Sequence, residues 1–158
     1  MSHRTVLAFA LFVGTLGSAC AAQDFVPQML KYFPGKWIMK AADGTELSTI
    51  DWKLVSGGKA LGGPGELKTG GKSYALAGWD SAAKKWIHNW FQEDGGYGHL
   101  EVVKFEGDTY FGTIYLVDAK GKAETGDWQT HVIDKDHFET IQVVKGAKTV
   151  TQFYRTKD

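Results

Sequence analysis

Cysteine is almost absent from this chain: 158 residues include one, Cys20. No disulfide framework can be built from it, and if Cys20 leaves with an N-terminal leader, no thiol chemistry remains. Charge of one sign is also missing, because 18 basic and 18 acidic side chains balance. That balance removes the electrostatic case for nucleic acid or an anionic membrane surface as partner. No apolar run is long enough to span a bilayer. A helical period long enough for a crossover between parallel strands is lacking, as are a linker, a low-complexity tract and a second domain. The chain holds no G-x-S-x-G, P-loop, CxxC or dinucleotide fingerprint. Ser81 opens a turn after Asp80 and reads as a turn residue rather than a nucleophile.

What is present begins with MSHRTVLAFALFVGTLGSACAAQD, a basic start, an apolar run from Val6 to Leu16 and then small residues, the order of a secretory signal peptide. Residues 1–22 are therefore expected to be removed and residues 23–158 to form one domain of about 136 residues, periplasmic or secreted. A lipid anchor on Cys20 is the alternative processing. A chain of this size has room for a sizeable core.

Twenty Gly, three Pro and abundant aromatics point to short strands joined by tight turns. After a helix expected over about residues 25–32, turn signals recur at ADG, SGGK, TGGK, DSAAK, EDGGYG, EGD, DAKGK, DKD and KGAK. Nine turns at this spacing predict ten antiparallel strands, all-β, in an up-and-down order. Closing them into a barrel removes both sheet edges, and ten strands leave interior volume where about eight are nearly filled by side chains. Alternation is clearest at Ile50, Trp52 and Leu54 against Asp51 and Lys53, which predicts that the apolar set faces inward. In the first strand Trp37, Met39 and Ala41 share a face. The strands near Tyr110–Leu116 and Trp128–Ile133 are mixed on both faces and do not choose.

At Gly35-Lys36-Trp37, and at Arg155 in the terminal QFYRTKD, the chain resembles the lipocalin-like barrels of the calycin superfamily. The wider pattern of FPGKW, GWDSAAKKW and EDGGYG is similar to a family of secreted bacterial barrel domains of largely uncharacterised function. The resemblance implies that Trp37 sits at the closed end with Arg155 packed over its ring, a contact contributing about 0.5–2 kcal/mol. It also implies that the glycine-bearing turns ADG, TGGK, EDGGYG, DAKGK and KGAK form the open rim. It carries no catalytic residue across. Ten-stranded haem barrels of the nitrobindin type have a Gly-rich extension after the first Trp that this chain lacks, so no haem or other cofactor is expected.

The stretch KKWIHNWFQEDGGYGHLEVVKFEG, residues 84–107, concentrates the candidate site. A four-residue loop over 94–97 opposes Gln92 with His99, Trp90 with Glu101, His88 with Val103 and Trp86 with Phe105, sending all eight inward. A five-residue loop pairs His88 with Lys104 instead, so the turn decides the site. In the four-residue register Trp86, Trp90 and Trp52 form an aromatic wall, and His88, Gln92, His99, Glu101 and His131 supply polar points, the usual make-up of a small-molecule pocket. The other reading of the rings is plain core packing. An inward Glu101 needs a partner, and His99 two residues away could provide it or share acid–base work with it. His137 is expected at an exposed turn. No histidine spacing matches a metal motif, so no metal is expected. These residues favour an exported barrel binding a small apolar or aromatic molecule. An enzyme using His99 and Glu101 in the lumen and a solidly packed structural domain are the alternatives.

Overall fold

The computed structural model describes residues 21–157, so residues 1–20, with Cys20 and most of the expected leader, lie outside it. A helix, α1 (Ala21–Tyr32), precedes ten strands: β1 (Gly35–Ala41), β2 (Glu46–Val55), β3 (Ala60–Leu67), β4 (Lys72–Asp80), β5 (Lys85–Gln92), β6 (Tyr97–Glu106), β7 (Thr109–Val117), β8 (Ala123–Asp134), β9 (His137–Val144) and β10 (Ala147–Arg155). Every strand pairs antiparallel with its neighbours in sequence, and β1 pairs with β10, so the sheet closes. The all-β, ten-stranded, up-and-down barrel expected from the turn spacing is the fold.

Four of the five turns at one end share one geometry. In each, a three-residue loop ends in glycine: Ala42-Asp43-Gly44, Lys68-Thr69-Gly70, Glu93-Asp94-Gly95 and Ala119-Lys120-Gly121. The residue before the loop donates its N–H across the loop, as Gln92 does to the Gly96 carbonyl at 2.8 Å, and its own carbonyl accepts from the loop glycine, here Gly95 at 3.0 Å. Gly95 has φ +89°, a left-handed conformation that costs glycine little and other residues more. The fifth turn is the two-residue Lys145-Gly146, with both φ positive.

At the other end α1 caps the barrel. Trp37 is fully buried, its Nε1 donates to the Phe33 carbonyl at 2.8 Å, and the Arg155 guanidinium lies 4.2 Å from its ring centroid. The same guanidinium donates to the carbonyls of Tyr32 and Pro34, meeting an acceptor that the end of α1 leaves without a helical partner. Gly35 has φ +120°, and a Cβ there would stand 2.7 Å from Arg155 Nη1, so the glycine before Trp37 makes room for the arginine. The Tyr32 hydroxyl donates to the Asp134 carbonyl at 2.6 Å, tying the helix to the β8–β9 turn. Phe138 stacks on Phe153 at 4.2 Å and meets the Trp37 ring edge-on at 4.9 Å.

Two local departures from the expected alternation have physical causes, and two strands left open by the sequence are now oriented. Leu54 shares the inward parity of Ile50 and Trp52, yet it lies near the strand end and remains 50% exposed. In β6 a bulge between Val102 and Lys104 inserts one residue, which leaves Val103 exposed and returns Phe105 to the inside against Tyr110, with ring centroids 5.7 Å apart. Strands β7 and β8, mixed in sequence, turn Tyr110 and Ile114, and Trp128 and Thr130, inward.

Replacing Arg155 by Ala should lower unfolding free energy by about 2–3 kcal/mol, since a cation–π contact and two charge-assisted hydrogen bonds go together. Arg155→Lys should recover less than half, because an ammonium lacks the planar fork that reaches both carbonyls. Urea denaturation measures both, and equal stabilities of wild type and Arg155→Ala would contradict the closure described.

Candidate functional site

The lumen holds a cavity of about 280 Å³. For scale, an engineered cavity of about 150 Å³ takes a benzene, so roughly two or three fused rings fit here. Met29 of α1 and Phe33 just after it form its floor, and the upper wall is built from Trp90, Gln92, Trp128, Gln142 and residues of β2 and β4.

The β5–β6 register decides which hairpin residues reach this space. The observed pairs are Trp86 with Val102, His88 with Leu100, Asn89 with His99 and Trp90 with Gly98. Neither the four-residue loop nor the five-residue one expected from sequence is present, because the chain reverses over Glu93-Asp94-Gly95. Trp86, His88, Trp90 and Gln92 line the cavity together with Trp52. Their partners on β6 are Gly98, Leu100 and Val102, not His99 and Glu101. Gly98 is no turn residue: a Cβ there would be 2.0 Å from the Trp90 ring, so the indole lies on bare backbone.

His99 and Glu101 therefore stand on the outer wall, and the expectation that they reach the lumen is corrected. There they belong to a polar chain. Lys85 Nζ donates to Glu101 Oε2 at 2.6 Å, His99 Nε2 lies 3.5 Å from Glu101 Oε1, and Asn89 Oδ1 meets His99 Nδ1 at 2.8 Å and the Tyr97 hydroxyl at 3.0 Å. The Lys85 hydrogen bond, helped by His99, holds the Glu101 carboxyl below its ordinary pKa. Leu100 and Val102, expected outside, are buried inside.

His131 is corrected in the same way. It alternates with Thr130 as expected, but Thr130 takes the inner face, while the His131 side chain is 45% exposed with Nδ1 3.7 Å from Glu139 Oε1. His137 is not an exposed turn residue either: it is half-buried, stacked on Tyr154 at 4.4 Å, with Nε2 2.6 Å from Gln152 Oε1. Among the described residues no group of three His, Cys, Asp or Glu side chains is placed to hold a metal ion.

His88 is the one titratable imidazole among the residues lining the cavity. Trp52 meets it edge-on at 5.1 Å and Trp90 lies tilted to it at 5.0 Å. Part of the residue keeps surface, which faces the cavity, while its Nε2 is fully covered and has no hydrogen-bond partner. Burial, with a smaller repulsion from His99 across the wall, holds its pKa down at about 4. The imidazole is thus neutral at ordinary pH. Two pairs of polar groups in the lumen satisfy each other, Trp128 Nε1 donating to Thr130 Oγ1 at 2.8 Å and Ser48 Oγ to Met39 Sδ at 2.8 Å.

Sequence reasoning missed Trp128, Thr140 and Gln142, which also line the cavity. In β9, Ile141 and Val143 look like the inward set, yet Phe138, Thr140 and Gln142 are inside. The charge on Glu139 marks that parity, since it needs the outer face, where it accepts from Gln152 Nε2 at 2.7 Å.

No family model matches the chain, and no curated protein does. Solved structures similar in outline include a redesigned beta barrel, b11L5F_LGL, 14% identical with TM-score 0.38, over 82% of this chain and 95% of that one. A second is a redesigned beta barrel, mFAP1, bound to DFHBI, 14% identical with TM-score 0.39, over 80% of this chain and 97% of that one. No residue role is taken from either.

The His88 pKa has a consequence for stability. An unfolded imidazole takes up its proton near pH 6.5 and the folded one near 4, so between these values the unfolded state binds more protons and stability falls as pH falls. The penalty is absent above pH 6.5 and reaches about 3 kcal/mol near pH 4. The difference between wild-type and His88→Phe urea stabilities, followed from pH 7.5 to 4, should trace that loss. Parallel curves would contradict a buried, neutral His88.

Proposed function

We propose that this chain is an exported lipocalin-like barrel that binds a small apolar or aromatic molecule in its lumen. The observation that carries this reading is the cavity itself: about 280 Å³ of the interior that ten strands enclose is left open and walled by Trp52, Trp86, Trp90 and Trp128. A purely structural barrel needs no such space, and packing it solid would add stability. Export is supported by the basic, apolar and small-residue order of residues 1–22, and the lipocalin-like assignment by Gly35, Trp37 and Arg155 acting together at the capped end. Ring stacking on Trp90 and apolar contact with Trp52 and Leu100 would provide affinity, while His88, Gln92 and Gln142 would orient polar groups.

An acid–base enzyme built on His99 and Glu101 inside the lumen loses its geometry, because both side chains lie on the outer wall. The two faces of the hairpin therefore make opposite predictions. Titrating a panel of uncharged two- and three-ring compounds should give saturable quenching of tryptophan fluorescence. Trp90→Ala should weaken binding by about tenfold or more, the equivalent of losing one stacking contact. His99→Ala and Glu101→Gln should leave binding unchanged. Loss of binding in Glu101→Gln with none in Trp90→Ala would overturn the lumen as the site.

A further inference from the structure

The chemistry of the cavity wall is selective in a way that its volume is not. Among the residues that line it there is no Asp, Glu, Lys or Arg. Several lysines and glutamates at the rim are engaged with one another, Lys68 with Glu46 at 2.9 Å and both Lys122 and Lys145 with Glu124 at 2.7 and 2.8 Å. A ligand carboxylate or ammonium entering the lumen would leave water and meet no opposite charge, which costs several kcal/mol.

The wall is not inert toward neutral polar groups, however. Among the described residues, the buried side-chain polar atoms without a hydrogen-bond partner are His88 Nε2 and Thr140 Oγ1, and both residues line this cavity. Buried polar groups are normally paired, and leaving one unmet costs about 1–3 kcal/mol. The two stand on β5 and β9, well apart around the barrel, and each atom is covered by its neighbours, so a ligand group meets either one as the imidazole or hydroxyl turns toward the cavity. The His88 ring packs against both the Trp52 and the Trp90 rings, next to the indoles on which a flat ligand would stack. A neutral imidazole can donate or accept at Nε2, according to its tautomer, and a threonine hydroxyl can do both.

Resting on the ligand-binding reading above, we infer that the lumen selects an uncharged, flat aromatic molecule carrying a small neutral hydrogen-bonding group, a hydroxyl or carbonyl, which His88 or Thr140 engages, and that it excludes carboxylates and ammonium ions of the same ring size. Shape and stacking are shared by every two-ring ligand. Discrimination arises from the charge-free wall and from the two unmet polar atoms, since a hydrocarbon leaves them unpaired and a hydroxylated ring does not.

A matched naphthalene series tests this with the full-length chain by equilibrium dialysis at pH 7.5: naphthalene, 2-naphthol, 2-naphthoate and 2-naphthylmethylammonium. The wild type should bind 2-naphthol about tenfold more tightly than naphthalene, in keeping with one well-placed hydrogen bond, and about a hundredfold more tightly than either ion. His88→Phe or Thr140→Val should reduce the advantage of 2-naphthol over naphthalene while naphthalene still binds. Binding of 2-naphthoate or the ammonium ion as tight as that of 2-naphthol overturns this inference and leaves the binding reading intact, and needs no variant. An unchanged preference for 2-naphthol in both variants does the same. If no member of the series and no compound of the uncharged panel binds, the binding reading itself fails and the inference falls with it.

Discussion

The left-handed Gly95 closes the β5–β6 hairpin after three residues, and the contents of the lumen follow from that closure. Because the side chains of a strand alternate, the turn fixes which half of β6 shares a face with Trp86, His88, Trp90 and Gln92. With Gln92 opposite Gly96, that half is Gly98, Leu100 and Val102. The Asp94 carboxylate reinforces the loop by accepting from the Gly96 N–H at 2.8 Å. A turn of other parity would put Glu101 and His99 into an apolar interior, stripped of Lys85 and Asn89, at a cost of several kcal/mol. The polar chain on the outer wall and the apolar wall inside are thus two results of one choice of register.

The second constraint is the capped end. Arg155 joins the last strand to the first and to the helix, since its guanidinium covers Trp37 and takes up the carbonyls of Tyr32 and Pro34. Held there, α1 and the residue that follows it present Met29 and Phe33 as the floor of the cavity. The barrel stays hollow above that floor partly because inward positions are small or bare. Gly98 accepts the Trp90 ring, and at Gly112 a Cβ would meet the Glu101 carbonyl at 2.0 Å, a close approach of neighbouring backbone that only glycine permits. Glycine at both positions lets the β5–β7 wall pack closely, and small residues such as Ser48, Ser73 and Ala77 face the space itself.

Much of this architecture is legible in the sequence. Turn spacing yields ten strands, the alternation of Ile50 and Trp52 with charged neighbours places them inside, and the even-numbered residues of β5 share one face in any register. The partner strand was harder to place, for a reason specific to glycine. Gly96 and Gly98 follow Gly95 closely and invite a longer loop, yet Gly98 serves packing against Trp90. A signal for the shorter turn was present in the recurrence of three residues ending in glycine, at ADG, KTG, EDG and AKG. His131 and Thr140 show a different limit: where both faces of a strand carry polar and apolar residues, only a charge such as Glu139 marks the outside. The bulge at Val103 left no comparable mark, and it restores Phe105 to the core after Lys104 would have taken that place.

The contents of the lumen therefore depend on the pairing of β5 with β6. Cross-strand backbone NOEs in isotopically labelled protein measure that pairing directly. Contacts linking Trp86 with Val102, His88 with Leu100 and Trp90 with Gly98 are predicted. Contacts linking Trp86 with Phe105, His88 with Val103 and Trp90 with Glu101 would contradict it, since they would carry Glu101 and His99 into the lumen.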